Sequence, residues 1–149
     1  HAFLGIDSGG HASIVHTRGN EGGHLILRGG ANGPNYDARS VAGACELLAA
    51  ARLSPNLLVD CSHANSNKDH RRQLIVFRDV MEQRLGGNKA IVGVMMESHL
   101  NPGSQKLGSD PSKLEYGVSI TDECIGWDDT EMLLLEAHQG LSRKVGAHA

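Results

Sequence analysis

The order strand, loop, helix recurs along this chain, and it limits the possible folds more than any other feature of the sequence. The strand candidates are residues 24–27, 57–61 and 90–96. The segments with helical periodicity are residues 37–53 and 66–85, and a last helix is expected from residue 128 onward. This order is typical of parallel strands joined by helical crossovers. The sequence therefore predicts an α/β fold, either a doubly wound sheet or part of a (β/α) barrel.

The start of the chain departs from this pattern. Residues 3–17 contain two short apolar runs around Ser8-Gly9-Gly10-His11, which is typical of a β-hairpin. The first residue is His1 and an apolar segment follows at once, so we expect the sequence to be part of a larger protein. The prediction is a single partial domain over residues 1–149, with a hairpin in 1–20 and β/α units in 24–145.

Composition excludes several classes of protein. A net charge of −3 gives no general attraction to nucleic acid. No apolar run approaches the roughly 18 residues of a membrane-spanning helix, so no membrane association is expected. Cys45, Cys61 and Cys124 are widely spaced and form no CxxC pair, which favours a reducing, cytoplasmic location over a disulfide framework. The glycine-rich loops that bind nucleotides are also absent from the sequence.

Each strand candidate is followed by a side chain that can carry chemistry. Arg28 follows the first strand, His63 the second and Glu97 the third. Catalytic groups of parallel α/β folds collect at this carboxyl edge. Arg28 offers a planar fork for phosphate or carboxylate, and His63 can bind a metal or carry a proton. Glu97 follows an uncharged strand that is predicted to be buried on both faces, where a carboxylate needs a partner or a cation.

Simpler interpretations stay open for the same residues. Arg28 could form a surface ion pair, and His63 could hydrogen-bond to backbone in its loop. Asp122 precedes the last helix, where carboxylates are common. His99 could support Glu97 instead of binding a metal. Four other histidines have no such context and are expected to be solvated: His11, His16, His70 and His148.

Four motifs together resemble one family. They are residues 24–30 (HLILRGG), 60–66 (DCSHANS), 93–100 (GVMMESHL) and 119–127 (SITDECIGW). In this order and spacing they closely resemble class I 3-deoxy-D-arabino-heptulosonate 7-phosphate (DAHP) synthases. The family fold is a (β/α)8 TIM barrel, roughly twice this length. The resemblance implies the C-terminal half of such a barrel, about strands six to eight, preceded by a β-hairpin insertion.

The resemblance also implies roles for individual residues. His63, Glu97 and Asp122 look like three of four ligands of a divalent Mn, Fe, Co or Zn ion. Arg28 looks like a contact for the phosphate of phosphoenolpyruvate, which His63 would touch as well, so both are candidate catalytic residues. The family's fourth ligand is a cysteine near the start of the barrel, outside this sequence. Cys61 lies within the His63 motif and is not expected to replace it.

The implied reaction is an aldol-type condensation of phosphoenolpyruvate with D-erythrose 4-phosphate, the first step of the shikimate pathway to aromatic amino acids. The family's Lys-Pro-Arg-Thr motif for erythrose 4-phosphate is absent here, so the segment alone is expected to be inactive. The full-length protein is expected to form a homo-oligomer. Two alternatives remain: a related metal-dependent barrel aldolase or synthase, and a non-catalytic half-barrel that binds phosphate.

Overall fold

The computed structural model of the protein describes residues 1–20 and 22–146. The strands are β1 (Ala2–Ile6), β2 (Ala12–His16), β3 (Leu25–Leu27), β4 (Leu57–Asp60) and β5 (Ile91–Met95). The helices are α1 (Ala38–Ala50), α2 (Gln73–Leu85) and α3 (Trp127–Gly146), with short 3-10 turns at His70–Arg72 and Pro111–Lys113. None of the described helices is long and apolar enough to cross a membrane.

Strands β3, β4 and β5 form one parallel sheet in chain order. Leu27 lies beside Val59, and Asp60 lies beside Met95. Helix α1 connects β3 to β4, and α2 connects β4 to β5, so each crossover is a helix. The predicted α/β fold with a parallel sheet is confirmed. Because the three strands run parallel, all three direct their carboxyl ends to one edge of the sheet.

The first strands form a separate two-stranded sheet. β1 and β2 pair antiparallel, with Ala2 opposite His16 and Ile6 opposite Ala12. The Asp7 carboxylate closes the turn by accepting hydrogen bonds from the backbone N–H groups of Gly9 and His11. The role of strands β1 and β2 as an insertion within a barrel stays a prediction.

The core lies between one face of the parallel sheet and the helices. Its largest buried side chains include Phe77, Leu57, Ile125, Leu133 and Val41. The expectation that residues 90–96 are buried on both faces is wrong for the described chain. Val92 is 54% exposed and Met95 is 41% exposed. The described helices pack against one face only, so the other face of the sheet is left open.

Two predicted helix starts shift in the structure. α1 begins at Ala38, and the Asp37 carboxylate caps it by accepting from the N–H groups of Arg39 and Ser40. A hydrogen bond from the Ser40 hydroxyl, together with these backbone bonds, holds the pKa of Asp37 below its usual value. The segment predicted to be helical from residue 66 instead begins with a 3-10 turn capped by Asp69, and α2 starts at Gln73. Ser66 does not cap this helix, because its hydroxyl donates to the carbonyl of His63.

Candidate active site

The carboxyl edge of the sheet brings three predicted site residues together. His63, Glu97 and Asp122 each offer a ligand atom, and these atoms lie within 4.8 Å of one another. The Nε2 atom of His63 is 3.9 Å from a Glu97 oxygen and 3.8 Å from an Asp122 oxygen. All three line a cavity of about 260 Å³, whose other walls include Ser66, Lys68, Ser104 and Thr121.

A buried carboxylate sets the orientation of the His63 ring. Asp60, at the end of β4, accepts from the hydroxyl of Ser62 at 2.5 Å and contacts Nδ1 of His63 at 2.8 Å. Ser62 Oγ is also 2.7 Å from that Nδ1. Because the single hydroxyl proton of Ser62 goes to Asp60, the proton between the ring and its two oxygen neighbours must be carried by Nδ1. In the neutral ring, the lone pair of Nε2 then faces Glu97 and Asp122, as a metal ligand requires.

The loop after β4 has a constrained backbone. His63, Asn67 and Lys68 adopt positive φ angles of 52°, 53° and 61°, a conformation that non-glycine residues rarely adopt. The buried Asn65 side chain holds this loop in place. Its amide donates to the carbonyls of Leu27 and Asp60, and its oxygen accepts from the N–H of Asn35.

Glu97 is fixed through its backbone. The fully buried Gln73 donates to the carbonyl of Glu97 at 3.1 Å and accepts from its N–H at 2.9 Å. The same carbonyl of Glu97 accepts from the N–H of Ile125, which joins this strand end to the segment that carries Asp122. The Glu97 side chain, 36% exposed, is thereby directed into the cavity with its backbone satisfied.

Asp122 is the most exposed of the three, with 70% of its side chain accessible. A carboxylate oxygen of its neighbour Glu123 lies 2.9 Å from Nδ1 of His70, within hydrogen-bond distance. The prediction that His70 is solvated is therefore wrong, because only 19% of its side chain is exposed. His11 and His16 are exposed as predicted, and His148 lies outside the described residues.

Arg28 lies beside the same network without lining the cavity. Its Nε is 3.9 Å from the Asp60 carboxylate, and its side chain is 61% exposed. The next residue, Gly29, has φ +75°, and a Cβ there would lie 2.6 Å from the Cβ of Ala64. Only glycine permits this close approach of the two loops, which places Arg28 near the His63 loop.

The three converging residues fit a divalent metal ion. Ligands about 2.0–2.2 Å from one ion are at most about 4.4 Å apart, so the measured separations need at most a small closure. One imidazole and two carboxylates suit Mn, Fe, Co or Zn. The Asp60–His63 hydrogen bond adds the carboxylate–histidine arrangement that orients histidine ligands in metal sites.

Two residues considered from the sequence lie outside this group. Cys61 is fully buried and does not line the cavity, and burial raises the pKa of its thiol to about 12, which disfavours the thiolate form that binds metals. Among the described residues, the His99 side chain forms no hydrogen bond with Glu97, and its Nδ1 accepts from the adjacent N–H of Leu100.

Sequence reasoning missed the residues that orient the site. Asp60 stands inside the quoted DCSHANS motif, but nothing in the spacing distinguished it from an ordinary strand-end carboxylate. Gln73 is 24 residues from Glu97, and His70 is 53 residues from Glu123, so these pairs became visible only in the folded chain.

In parallel α/β enzymes the active site lies at the carboxyl edge of the sheet, which is where this histidine and these two carboxylates converge. Residues 1–135 match the family described as the DAHP synthetase I family, and the chain belongs to that family.

Named relatives support this assignment. The chain is 46% identical over 147 residues to the Tyr-sensitive phospho-2-dehydro-3-deoxyheptonate aldolase of Escherichia coli K12, covering 99% of this chain and 41% of that protein. It is 48% identical over 146 residues to the Phe-sensitive aldolase of the same organism, covering 98% of this chain and 41% of that protein. A solved structure named as this aldolase, from Francisella tularensis SCHU S4, superposes with a TM-score of 0.83 at 39% identity, covering 95% of this chain and 41% of that one. The chain thus spans about two fifths of the length of these relatives.

Proposed function

We propose that the full-length protein containing this sequence is a metal-dependent DAHP synthase, which condenses phosphoenolpyruvate with D-erythrose 4-phosphate and releases phosphate. The observation that carries the proposal is the convergence of His63, Glu97 and Asp122 in one cavity of a chain from this family. The segment of 149 residues would form the C-terminal half of a TIM barrel as one partial domain, with the β1–β2 pair as an insertion. The open face of the sheet supports this, because a closed barrel covers that face with side chains from its other strands.

The site residues divide the chemistry between them. His63, Glu97 and Asp122 would hold a divalent Mn, Fe, Co or Zn ion, which when bound supplies a Lewis acid for the aldehyde of erythrose 4-phosphate. Arg28 binds the phosphate of phosphoenolpyruvate, and its mostly exposed guanidinium is available to do so. C3 of phosphoenolpyruvate bonds to the aldehyde carbon, water adds at C2, and phosphate leaves with cleavage of the C–O bond.

The rival interpretations differ in their products. A related barrel aldolase would use other substrates. A half-barrel that only binds phosphate would convert neither phosphoenolpyruvate nor erythrose 4-phosphate. The family assignment favours the DAHP synthase. Free Cys45, Cys61 and Cys124 favour a reducing cytoplasm, and we keep homo-oligomer assembly of the full-length protein as part of the proposal.

The test is the metal content and turnover of the full-length protein and its variants. His63→Ala and Glu97→Ala should each lose the bound divalent ion and the formation of the seven-carbon product, because each removes a ligand atom. His99→Ala is the matched control, since within the described chain the His99 side chain accepts only from the adjacent N–H of Leu100, and it should keep both. Full metal content and normal turnover in both ligand variants would refute the proposal.

A further inference from the structure

The pair formed by His70 and Glu123 joins two segments that carry different candidate ligands. His70 lies in the 3-10 turn that follows the His63 loop, and Glu123 is adjacent to Asp122. Their side chains meet at 2.9 Å across 53 residues of sequence. Among the described residues, no other hydrogen bond connects residues 60–73 with residues 119–124. Both side chains also line the cavity that contains the three converging residues.

Asp122 needs support of this kind because little else holds it. Within the described part of the chain, its carboxylate takes part in no hydrogen bond, and Nε2 of His63 lies 3.8 Å from one of its oxygens. The loop around it is anchored at its ends, where the N–H of Thr121 donates to Ser119 and the N–H of Cys124 donates to the carbonyl of Gly103. The tip between these anchors is tied to the His63 side of the cavity through Glu123.

We infer that His70 and Glu123 are a positioning pair, which fixes Asp122 relative to His63 and thereby sets the affinity of the site for a divalent cation. The inference rests on the proposed metal site. Neither residue touches the ion in this assignment. The pair acts by holding an exposed ligand in place before binding, so its loss lowers affinity although all three ligands remain.

A second explanation would be charge alone, because a carboxylate near a cation favours binding wherever it is held. Two substitutions separate the explanations. Glu123→Gln removes the charge but keeps an oxygen that can accept from Nδ1–H of a neutral His70. His70→Ala removes the hydrogen bond and leaves the Glu123 charge in place. Positioning predicts loss only in His70→Ala, whereas charge predicts loss only in Glu123→Gln.

The experiment is a titration of the metal-free full-length protein with Mn²⁺, followed by calorimetry or by the electron paramagnetic resonance signal of the free ion. Glu123→Ala and His70→Ala should each weaken Mn²⁺ binding roughly 10- to 100-fold. The double variant should lose little more than either single variant, because both remove one interaction. Glu123→Gln should bind nearly as tightly as the unmodified protein.

Two outcomes would overturn the inference: unchanged affinity in His70→Ala, or an equal loss in Glu123→Gln and Glu123→Ala. Thermal unfolding of each metal-free variant checks that the fold is kept, and Glu123→Gln conserves shape if the alanine variant does not fold. His63→Ala serves as the reference for a lost ligand. Normal Mn²⁺ binding in His63→Ala would reject the metal site itself. Loss of binding in His63→Ala together with normal binding in His70→Ala and Glu123→Ala would reject only the positioning role of the pair.

Discussion

At the scale of single residues, Asp60 decides how His63 can act. It is 2% exposed, and it contacts the imidazole at 2.8 Å, Ser62 at 2.5 Å and Arg28 at 3.9 Å. One buried carboxylate therefore touches both the candidate ligand and the candidate phosphate contact. Burying that charge is tolerable because hydrogen bonds and a guanidinium surround it.

Replacing Asp60 should weaken metal binding without removing a ligand. In Asp60→Ala, the His63 ring loses the acceptor that fixes its tautomer, and affinity for Mn²⁺ should fall about 10- to 100-fold. Asp60→Asn keeps an acceptor oxygen and should lose less. Titration of the metal-free full-length variants measures both. Equal and unchanged affinity in the two variants would show that Asp60 has only a structural role.

Arg28 should matter for phosphoenolpyruvate more than for the metal. Arg28→Ala should lower kcat/KM for phosphoenolpyruvate roughly 10- to 100-fold, the effect of a lost charge-assisted hydrogen bond of about 1.5–3 kcal/mol. Arg28→Lys should recover part of this, since it restores the charge but not the planar fork. Steady-state kinetics give the values, and Arg39→Ala, on the exposed side of α1, is the control. Normal kinetics in Arg28→Ala would favour the alternative that Arg28 forms a surface ion pair and does not bind phosphoenolpyruvate.

At the scale of elements, Asn65 joins the carboxyl ends of β3 and β4. Its side chain is fully buried and satisfies the carbonyls of Leu27 and Asp60 and the N–H of Asn35. The hydrogen bonds of the Asn65 side chain therefore hold together the carboxyl edge of the sheet, where the backbone pairing of the strands has ended. These bonds compensate for the positive φ angles that the loop requires.

Asn65→Ala should lower the free energy of unfolding by roughly 3 kcal/mol, because it leaves several buried backbone groups unsatisfied at about 1–3 kcal/mol each. Urea unfolding of the full-length protein measures the change. Asn56→Ala is the matched control, since Asn56 is exposed and its side chain forms no hydrogen bond among the described residues. It should shift stability by less than about 0.5 kcal/mol. Equal small effects in both variants would contradict this role of Asn65.

At the scale of the whole molecule, the parallel sheet is incomplete by itself. Within the described chain, β3 and β5 each have one neighbouring strand, so each keeps an unpaired edge. Ile26, Val92 and Met95 are exposed by 41%, 54% and 41%. Exposed apolar side chains and free strand edges favour association with other chains.

The segment of 149 residues, expressed alone, should therefore associate or unfold and should not form the seven-carbon product. Light scattering, near-ultraviolet circular dichroism and a turnover assay test the three parts of this prediction. A cooperatively folded, active monomer would contradict it.

The sequence by itself determined the α/β class, because the alternation of apolar runs and helical periodicity is a local property. It also singled out His63 and Glu97 by their positions at strand ends, and Asp122 by the resemblance of its motif to that of the family. Only the tertiary structure decided what orients them. Asp60 orients His63 because the folded loop places the imidazole against its carboxylate. Gln73 contacts Glu97, and His70 contacts Glu123, although the members of each pair are distant in sequence. The burial of β5 also depended on tertiary structure, because apolar composition cannot reveal which faces have packing partners.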